Sequence, residues 1–463
     1  MSALPTSVDV VVLGGGLAGC AATLSAAEAG RKVLLLEKQS DTGGSTVLSA
    51  GLSAFAGTEE QARQDIDDSV DLLRRDLLET GLHLNDPKLI GLYCREQLGV
   101  YRWLKGHGVR YGTVHAASGQ SVPRSHPTDT RLLLDTLLAK ATGLGATVVT
   151  GAHAQRLVAD ADQVTGVEVT FERERHRISS NAVIIATGGF SQNQGLLARF
   201  APQMRLALRG GGAGSQGEGL LMAWKLGAGF VDTPHIKGTY GIHPEPVPGE
   251  SGTGILAVYK GAVAVNRDGH RFVDESLPYK VIGDASLAQP GGVTYQVFDA
   301  KVMAAGDDEV PIYDFVKRER DGALVKANTI SGLAELLELP AGALERTVSA
   351  YNEAVAVGSP HEPPRAHLSG QVGRPSPLDT PPFYAQPSST VVLATYCGLT
   401  VNIRCEVLDV FGDPIGGLLA AGEVMGGFHG GGYMTGTSIG KAAVFGRVAG
   451  IAAAARAIEE VAS

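Results

Sequence analysis

Three glycines and one acid near the N-terminus have the types and spacing needed to bind a dinucleotide. Gly14, Gly16 and Gly19 follow a short apolar run, and Glu37 comes 18 residues after the last of them. The first glycine permits a tight turn, the second lets backbone N–H groups approach a pyrophosphate, and the third lets a helix lie close to the preceding strand. An acid at the end of the next strand can accept hydrogen bonds from ribose hydroxyls. The spacing therefore predicts a dinucleotide site, and a glycine-rich loop without a nucleotide is the alternative.

The flanking segments have the patterns of the elements that such a site requires. Residues 10–13 are an apolar, β-branched run typical of a buried parallel strand. Residues 18–29 are rich in alanine with helical spacing, and Gly30 ends that predicted helix. Residues 33–36 form a second apolar strand, which ends at Glu37. This order predicts a β-α-β unit in which the positive N-terminal end of the helix faces the phosphates.

A segment rich in glycine and hydroxyl side chains follows the acid. Residues 40–51, SDTGGSTVLSAG, suit close wrapping of a phosphate and a sugar by backbone and hydroxyl donors, with a surface loop as the alternative. Further along, the sequence predicts helices within 58–110 and at 130–141, a strand at 146–150, a hairpin over 154–170 with its turn at 160–163, and a buried strand at 182–185. That last strand leads directly into ATGGF at 186–190, so it too ends at glycines.

The composition is that of a globular protein long enough for two domains. The chain has 463 residues, 44% of them hydrophobic, and its net charge of −9 gives no reason to expect nucleic acid or an anionic membrane as a partner. No apolar run reaches the roughly 18 residues that span a bilayer, and the N-terminus lacks a secretory pattern. We therefore expect a cytoplasmic protein without a transmembrane segment. Four scattered cysteines predict buried free thiols and no metal site; they are Cys20, Cys94, Cys397 and Cys405.

Several motifs together resemble one family of flavoproteins. GGGLAG and LLLEK near the N-terminus, paired with ATGG after the late strand, are similar to flavoproteins with two dinucleotide-binding domains. Further matches to that family occur at 214–228, 261–275, 381–385 and 417–450. The resemblance runs from about residue 8 to 450. It is to the fumarate reductase and succinate dehydrogenase flavoproteins together with the 3-ketosteroid dehydrogenases, with the Δ4-(5α) and Δ1 ketosteroid enzymes as the nearest branch.

The resemblance implies an α/β architecture with a discontinuous cofactor domain. A Rossmann-like FAD-binding domain would comprise 1–233 and 376–463, and an α+β capping domain would comprise 234–375. The sequence agrees with linkers at 232–235 and 359–382, and it predicts helices over 332–357 with a break at Pro340.

The resemblance also assigns the residues that would contact FAD. No histidine occurs in 40–51, where membrane-bound succinate dehydrogenases attach the flavin, so non-covalent FAD is expected. Glu423 in AAGE resembles the family's contact to the ribityl chain. The other expected cofactor residues are Gly14, Gly16, Leu17, Ala18, Gly19, Glu37, Lys38, Gly43, Gly44, Ser45, Thr46, Ser49, Gly51, Ala154, Ala186, Thr187, Gly188, Gly422, Ser438 and Ile439.

The residues with which fumarate reductases grip two carboxylates are replaced in this chain. When the chain is aligned with fumarate reductases by the surrounding motifs, Ala394 stands where they carry a carboxylate-binding histidine. Tyr433 stands where they carry a carboxylate-binding arginine in the closing loop. Gly254, Ile255 and Val258 stand where the capping domain carries threonine, glutamate and arginine. A buried dianion would then have no cation to offset its desolvation. A dicarboxylate substrate is therefore not expected.

The closing segment GGGYMTGTSIG instead resembles the ketosteroid dehydrogenases. In those enzymes a loop tyrosine and a backbone N–H hold the ketone oxygen, which predicts that role for Tyr433 with Gly436 as a candidate amide. A neutral donor pair of this kind binds an enolate more strongly as its charge develops. Thr435 could add a hydroxyl, and a core aromatic residue is the alternative for Tyr433. Ser438 begins the last helix, predicted at 441–455, whose N-terminal amides would face the flavin.

The base that removes the α proton has several candidates. Arg271 aligns with the proton-delivering arginine of fumarate reductases, but an arginine alone is a poor base, and it could equally brace the capping domain through Asp274 or Glu275. Ketosteroid enzymes use tyrosine here. The tyrosine candidates in the predicted capping domain are Tyr240, Tyr259 and Tyr279. Tyr396 precedes a Cys-Gly pair and His429 lies beside the closing loop, and both are further candidates for the substrate pocket.

These expectations combine into an FAD-dependent dehydrogenase that places a C=C bond α,β to a ketone. The resemblance implies that the β hydride passes to flavin N5 while a base takes the α proton. The expected substrate is an apolar cyclic ketone, either a 3-ketosteroid or a smaller cyclohexanone-type ring. Reduction of an unsaturated acid and FAD binding without turnover are the alternatives. No second nucleotide motif, haem motif or cluster of cysteines is present, so a quinone, dioxygen or another protein is expected to reoxidise the flavin.

Overall fold

The computed structural model describes residues 4–161, 163–236, 238–245, 254–359, 362–369 and 373–462. The chain divides into two units. Unit 1 comprises 1–201, 211–236 and 394–463, and unit 2 comprises 202–210 and 237–393.

The elements are numbered here in chain order. The strands are β1 Ser7–Leu13, β2 Val33–Leu36, β3 Leu52–Ala54, β4 Ser125–Pro127, β5 Thr147–Val149, β6 His153–Asp160, β7 Gln163–Phe171, β8 Glu174–Ile185, β9 Leu208–Arg209, β10 Phe230–Val231, β11 Thr239–Ile242, β12 Val263–Val265, β13 Thr294–Asp299, β14 Val325–Ala327, β15 Phe383–Val392, β16 Gly398–Leu399, β17 Glu406–Leu408 and β18 Pro414–Ala420. The α-helices are α1 Leu17–Glu28, α2 Glu59–Arg63, α3 Val70–Thr80, α4 Pro87–Gly106, α5 Thr130–Gly143, α6 Gln194–Phe200, α7 Glu218–Trp224, α8 Tyr279–Leu287, α9 Ala300–Ala304, α10 Phe315–Arg320, α11 Ile330–Leu336, α12 Ala343–Val357 and α13 Thr437–Ala462. Short 3₁₀ helices lie at Pro202–Met204, Thr233–His235, Ala257–Lys260, Pro290–Gly292, Pro311–Tyr313 and Gly422–Val424.

Unit 1 is built on a sheet whose strands run in the order β17-β18-β7-β8-β1-β2-β5. β1 pairs in parallel with both β2 and β8, and β2 pairs in parallel with β5. Residues 10–13 of β1 and all of β2 are buried, as expected for apolar strands covered on both faces. Because parallel strands end at the same edge of a sheet, the segments after β1, β2 and β8 lie together there.

The predicted elements of this unit agree with the structure in type and differ in length. β2 has the predicted bounds, and α1 starts one residue earlier than predicted. β8 is much longer than the predicted strand at 182–185, because its first half pairs antiparallel with β7 while its last part pairs with β1. The hairpin of β6 and β7 forms as expected, but one residue of its predicted turn, residue 162, lies outside the described residues.

Unit 2 contains a mainly antiparallel sheet with the strand order β11-β15-β13-β12. β15 pairs with β13 from Phe383 to Ser388, and β9 adds to its other end in parallel. These pairings place residues 202–210 and 376–393 in unit 2, whereas the predicted FAD-binding segment began at 376. The difference arises because the motif at 381–385 begins a ten-residue strand whose hydrogen-bond partners all lie in unit 2.

Helix α13 begins four residues before the predicted start and packs against α1. Among the described residues it is the helix long and apolar enough to cross a bilayer, with a mean hydropathy of 1.2 over Thr437–Arg456, yet 61% of that window is buried within the protein. A Cβ atom at Gly446 or Gly450 would overlap the backbone of Ala18 or Ala22, so the glycines let the two helices approach closely. This packing is that of a core helix. The four cysteines are buried and free, as the sequence predicted.

Candidate active site

The glycines after β1 form a turn in which Gly14 and Gly19 tolerate no side chain. Gly14 has φ +107°, and a Cβ there would overlap the carbonyl of Ala186 after β8. A Cβ at Gly19 would overlap the carbonyl of Gly14, so α1 lies directly against the turn. At Gly16 a Cβ would make only ordinary contacts, with Thr46 Oγ1 at 3.6 Å and the carbonyl oxygen of Gly43 at 3.9 Å. The turn is therefore closed toward the sheet and approachable from the side of the hydroxyl-rich loop.

Glu37 joins this turn to the loop that follows β2. One carboxylate oxygen accepts from the N–H of Gly15 at 2.7 Å, and the other accepts from the N–H of Gln39 at 2.8 Å. Thr46 Oγ1 accepts from the N–H of Leu17 at 3.1 Å, at the start of α1. Each carboxylate oxygen keeps a lone pair for a further donor such as a ribose hydroxyl.

The remaining predicted cofactor residues of unit 1 differ in their local contacts. Ser45 Oγ accepts from the N–H of Gly212 at 2.9 Å, and Ser49 donates to the carbonyl of Thr46 at 2.7 Å. Lys38 forms an ion pair with Glu218, and Ala154 is part of the β6–β7 ladder. Left-handed backbone occurs at Gly43, Gly44, Gly51, Gly188 and Gly422. The buried hydroxyl of Thr187, directly after Ala186, has no hydrogen-bond partner among the described residues. A glycine turn that leaves Gly16 open, beside a carboxylate with spare acceptor capacity at Glu37, fits a bound dinucleotide.

Glu37→Gln is expected to weaken FAD binding about tenfold, because hydrogen bonds to an ionised acceptor are roughly twice as strong as those between neutral groups. The amide group would also point an N–H toward the donor of Gly15 or Gln39. Titration of apoprotein with FAD, followed by flavin fluorescence, measures the change. Glu28→Gln in α1, whose carboxylate contacts Trp103 and His107, is the matched control. An unchanged Kd for Glu37→Gln would contradict the role of this acid.

Glu423 fixes the segment that precedes β16. Its Oε1 accepts from the N–H of Thr395 at 2.9 Å and from the Thr395 hydroxyl at 3.3 Å. Burial raises the pKa of Glu423, and the backbone hydrogen bond from Thr395 opposes that shift. A Cβ at Gly189, after β8, would overlap the same carboxylate. The predicted contact of Glu423 with the ribityl chain stays a prediction.

Three predicted pocket residues come together in unit 1. The rings of Tyr396 and Tyr433 stack with their centroids 5.1 Å apart and an angle of 26° between their planes. His429 packs edge-on against Tyr396 at 4.8 Å and lies 5.5 Å from Tyr433. We call Tyr396, His429 and Tyr433 the aromatic trio.

Tyr433 lies four residues before the first residue of α13. Donor groups of Ser438 and Gly436 lower the pKa of its phenol. Burial nevertheless raises the pKa of Tyr433, so the phenol is protonated at neutral pH. The role of the Gly436 amide as a second donor to a ketone stays a prediction.

The loop that carries Tyr433 is fixed by backbone hydrogen bonds. Thr435 donates its N–H to the carbonyl of Ser118 at 2.9 Å, and its own carbonyl accepts from Gln120 Nε2 at 2.8 Å. Gly436 accepts from the N–H of Ala54 in β3 at 3.0 Å. The predicted Ser438 and Ile439 follow within the first turn of α13.

Tyr396 has a backbone conformation that sequence patterns did not indicate. Its φ is +57°, and the N–H of Cys397 donates to the carbonyl of Thr395 at 2.7 Å, which closes a three-residue turn. This conformation is strained for a residue with a side chain, and such strain persists where the surroundings impose it. Here Glu423 holds Thr395, the first residue of the turn, and the tyrosine ring is directed onto Tyr433.

The candidate bases in unit 2 make structural contacts within that unit. Arg271 forms a two-pronged ion pair with buried Glu275, with one pair of atoms at 2.8 Å, and donates to the carbonyl of Pro363 at 2.9 Å. Tyr240 is buried with its hydroxyl 3.1 Å from Thr294 Oγ1, and Tyr259 donates to the carbonyl of Leu277 at 2.8 Å. Burial raises the pKa of both phenols, which makes them weaker candidates for proton transfer. Tyr279 is the first residue of α8. The bracing alternative for Arg271 is therefore the one that the observed contacts support.

Comparison with known proteins identifies the family. Residues 9–439 match the FAD binding domain family. The chain belongs to this family. The probable fumarate reductase Ifc3 of Shewanella frigidimarina is 30% identical, over 98% of this chain and 76% of that protein. The urocanate reductase of Eggerthella lenta is 33% identical, again over 98% and 76%.

Solved structures of two flavoproteins have the same fold. The open conformation of a flavocytochrome c3 fumarate reductase superposes with a TM-score of 0.83 at 29% identity, covering 98% of this chain and 79% of that one. A 3-ketosteroid-Δ4-(5α)-dehydrogenase from Rhodococcus jostii RHA1, in complex with 4-androstene-3,17-dione, superposes with a TM-score of 0.77 at 26% identity, covering 98% of both chains. The expected flavoprotein fold, the family and the use of FAD are confirmed. This protein is an FAD-dependent oxidoreductase of the group that acts on C=C and CH–CH bonds.

Proposed function

We propose that this flavoprotein interconverts a CH–CH and a C=C bond α,β to the ketone of an apolar cyclic substrate, acting as a dehydrogenase. The observation that carries the proposal is the setting of Tyr433, whose ring stacks on Tyr396 beside His429 and which lies four residues before the start of α13. Its phenol, protonated at neutral pH, can donate to a carbonyl oxygen. One neutral donor suits one neutral oxygen, whereas a dicarboxylate needs cations. Ala394 and Tyr433 stand where the family's fumarate reductases carry two of those charged residues.

The chemistry assigns a defined task to the chain's own residues. FAD, when bound, supplies the acceptor for the hydride that leaves the β carbon. Tyr433 holds the carbonyl oxygen and stabilises the charge that develops on it as the α proton leaves. Loss of one proton and one hydride from adjacent carbons balances the new double bond. Because Arg271, Tyr240 and Tyr259 are engaged in contacts within unit 2, the proposal does not assign the base to them.

The attachment of FAD forms part of the same proposal. The loop at 40–51 contains no histidine that could form a covalent link of the kind inferred from the resemblance. We propose that FAD is bound non-covalently. Acid precipitation should then release all of the flavin into the supernatant, and flavin that stays with the pellet would contradict this.

Reduction of an unsaturated acid is the second candidate. It is favoured by the relatives themselves, since those with 30% and 33% identity are named as reductases of fumarate and urocanate. An acid substrate would need cationic partners for its carboxylate, which the replaced positions at Ala394 and Tyr433 do not offer.

Two assays on the FAD-loaded protein separate these functions. Steroid and non-steroid cyclic ketones are added anaerobically, with bleaching of the visible flavin absorbance as the readout, and turnover is then measured with an acceptor dye. Fumarate and urocanate are tested separately with reduced viologen. Bleaching by a ketone supports the proposal. Rapid turnover of fumarate or urocanate without any response to ketones would overturn it, and no response in either assay would favour FAD binding without turnover.

A further inference from the structure

Segment 427–436, GFHGGGYMTG, carries two members of the aromatic trio. Five of its ten residues are glycine, and the backbone has a positive φ of +80° at Gly427 and +89° at Gly436. Glycine has little intrinsic preference for one backbone conformation. The positions of His429 and Tyr433 in this segment therefore depend on contacts with other parts of unit 1.

The first part of the segment lies against the chain that follows α3. The N–H of Asp86 donates to the carbonyl of Gly427 at 2.6 Å. The N–H of Gly431 donates to the carbonyl of Gly81 at 2.9 Å. A Cβ atom at Gly430 would overlap the carbonyl oxygen of Gly81, so the two backbones pack directly on each other.

The side chain of Asn85 adds a contact to the same part of the segment. Asn85 is 6% exposed, and its Nδ2 donates to the carbonyl of Phe428 at 2.9 Å and to the carbonyl of Leu77 in α3 at 3.3 Å. Its Oδ1 is buried and has no hydrogen-bond partner among the residues that the structure describes. Because both neighbours are carbonyl oxygens, the contact requires a side chain that donates two N–H groups.

The side chain of Gln120 makes the corresponding contact at the other end of the segment. Its Nε2 donates to the carbonyl of Thr435 and to the hydroxyl of Ser125, both at 2.8 Å. Its Oε1 accepts from the N–H of Ala117 at 3.2 Å and from the N–H of Arg124 at 3.1 Å. The amide thus uses both of its donors and joins the segment to the chain around β4. A carboxylate could keep the two accepted bonds but not the bond to Thr435.

We infer that Asn85 and Gln120 are positioning residues, whose side-chain amides hold segment 427–436 near its two ends so that the aromatic trio assembles. Removing either donor leaves a glycine-rich segment with one fewer restraint. The value of this arrangement for catalysis rests on the proposed function of Tyr433. The positioning itself involves no substrate and can be measured without one.

Hydrogen exchange of the FAD-loaded protein, measured by mass spectrometry on peptides covering 427–437, tests the positioning. Gln120→Glu replaces the donating NH₂ group by an oxygen, which repels the carbonyl of Thr435. We expect exchange in these peptides to be at least about tenfold faster, while peptides from α5 keep their protection. Asn85→Ala should have the same effect. Gln64→Glu is the matched control and should leave exchange there unchanged, because Gln64 is also half-buried but donates to a backbone carbonyl of α2.

A kinetic readout separates positioning from a general loss of stability. With the ketone found by flavin bleaching, Gln120→Glu should lower kcat about tenfold, and KM should change much less. In a Tyr433→Phe background the same change should lower kcat by no more than about twofold, because the hydroxyl that the segment positions is already absent. A general loss of stability would lower kcat equally in both backgrounds.

The two measurements have outcomes that contradict the inference. Unchanged exchange at 427–437 in either Gln120→Glu or Asn85→Ala, or loss of protection spread evenly over unit 1, would overturn it. An equal fall in kcat with and without the Tyr433 hydroxyl would also overturn it. If Gln120→Glu does not yield folded protein, Asn85→Ala decides alone by the same exchange measurement. Faster exchange confined to these peptides, together with no ketone turnover by the parent, would support the inference and count against the proposed function only.

Discussion

Replacing Tyr433 with phenylalanine is expected to lower kcat for a ketone substrate by about 10²–10³, the usual cost of removing one donor to a developing oxyanion. The ring would remain stacked on Tyr396, and only its hydroxyl would be lost. KM should change much less, because the hydrogen bond strengthens as charge accumulates on the oxygen. Steady-state kinetics with the ketone found by flavin bleaching, and an acceptor dye in excess, measure both parameters.

A matched tyrosine separates loss of a donor from loss of packing. Tyr101 on α4 is buried, and its hydroxyl bonds to Glu60. Tyr101→Phe should therefore cost stability and leave kcat within a few-fold of the parent. If Tyr433→Phe retained full activity, or if the two variants lost activity equally, the assignment of the ketone oxygen to Tyr433 would be wrong.

The glycine turn and the strands and helix that flank it could be predicted because their determinants are local in sequence. β1, the glycine turn, α1 and β2 follow one another without interruption, and each has a pattern that fixes its type. Glu37 at the end of β2 then reaches the N–H of Gly15, because two adjacent parallel strands end at the same edge of the sheet. Such a unit can be deduced without knowing anything about the rest of the chain.

Contacts between distant segments could not be deduced in this way. The two units divide at 393/394 and not at 376, because β15 pairs with strands of unit 2, and the proline-rich composition before it does not show this. Nothing in the neighbourhood of Tyr396 shows that a distant acid, Glu423, fixes the first residue of its strained turn. Lys441 has the pattern of an ordinary helix residue, yet it is buried and donates to the carbonyl of Met425, 16 residues earlier.

Arg124 illustrates how such distant contacts support the site. The guanidinium is fully buried and binds both oxygens of Asp68, at 2.7 and 2.8 Å, and also Asp76. Asp76 in turn accepts from the N–H of Ser121 at 2.8 Å. In the same stretch of chain, the carbonyl of Ser118 accepts a hydrogen bond from the N–H of Thr435, two residues after Tyr433. The ion-pair network therefore anchors the backbone that frames the closing loop.

Arg124→Met is expected to destabilise the protein by about 3–5 kcal/mol, because it leaves two buried carboxylates without their counter-ion. Urea unfolding followed by circular dichroism measures the loss, and Arg63→Met is the control. Arg63 is largely exposed and pairs with Glu59 at 3.4 Å, so its removal should cost no more than about 0.5 kcal/mol. Since the segment from Ser118 to Arg124 holds the Thr435 backbone, Arg124→Met should also lower activity at temperatures where the variant is still folded. A free energy of unfolding close to that of the parent would mean that Asp68 and Asp76 find other partners. The ion pairs of Arg124 would then not be what holds residues 118–124 in place.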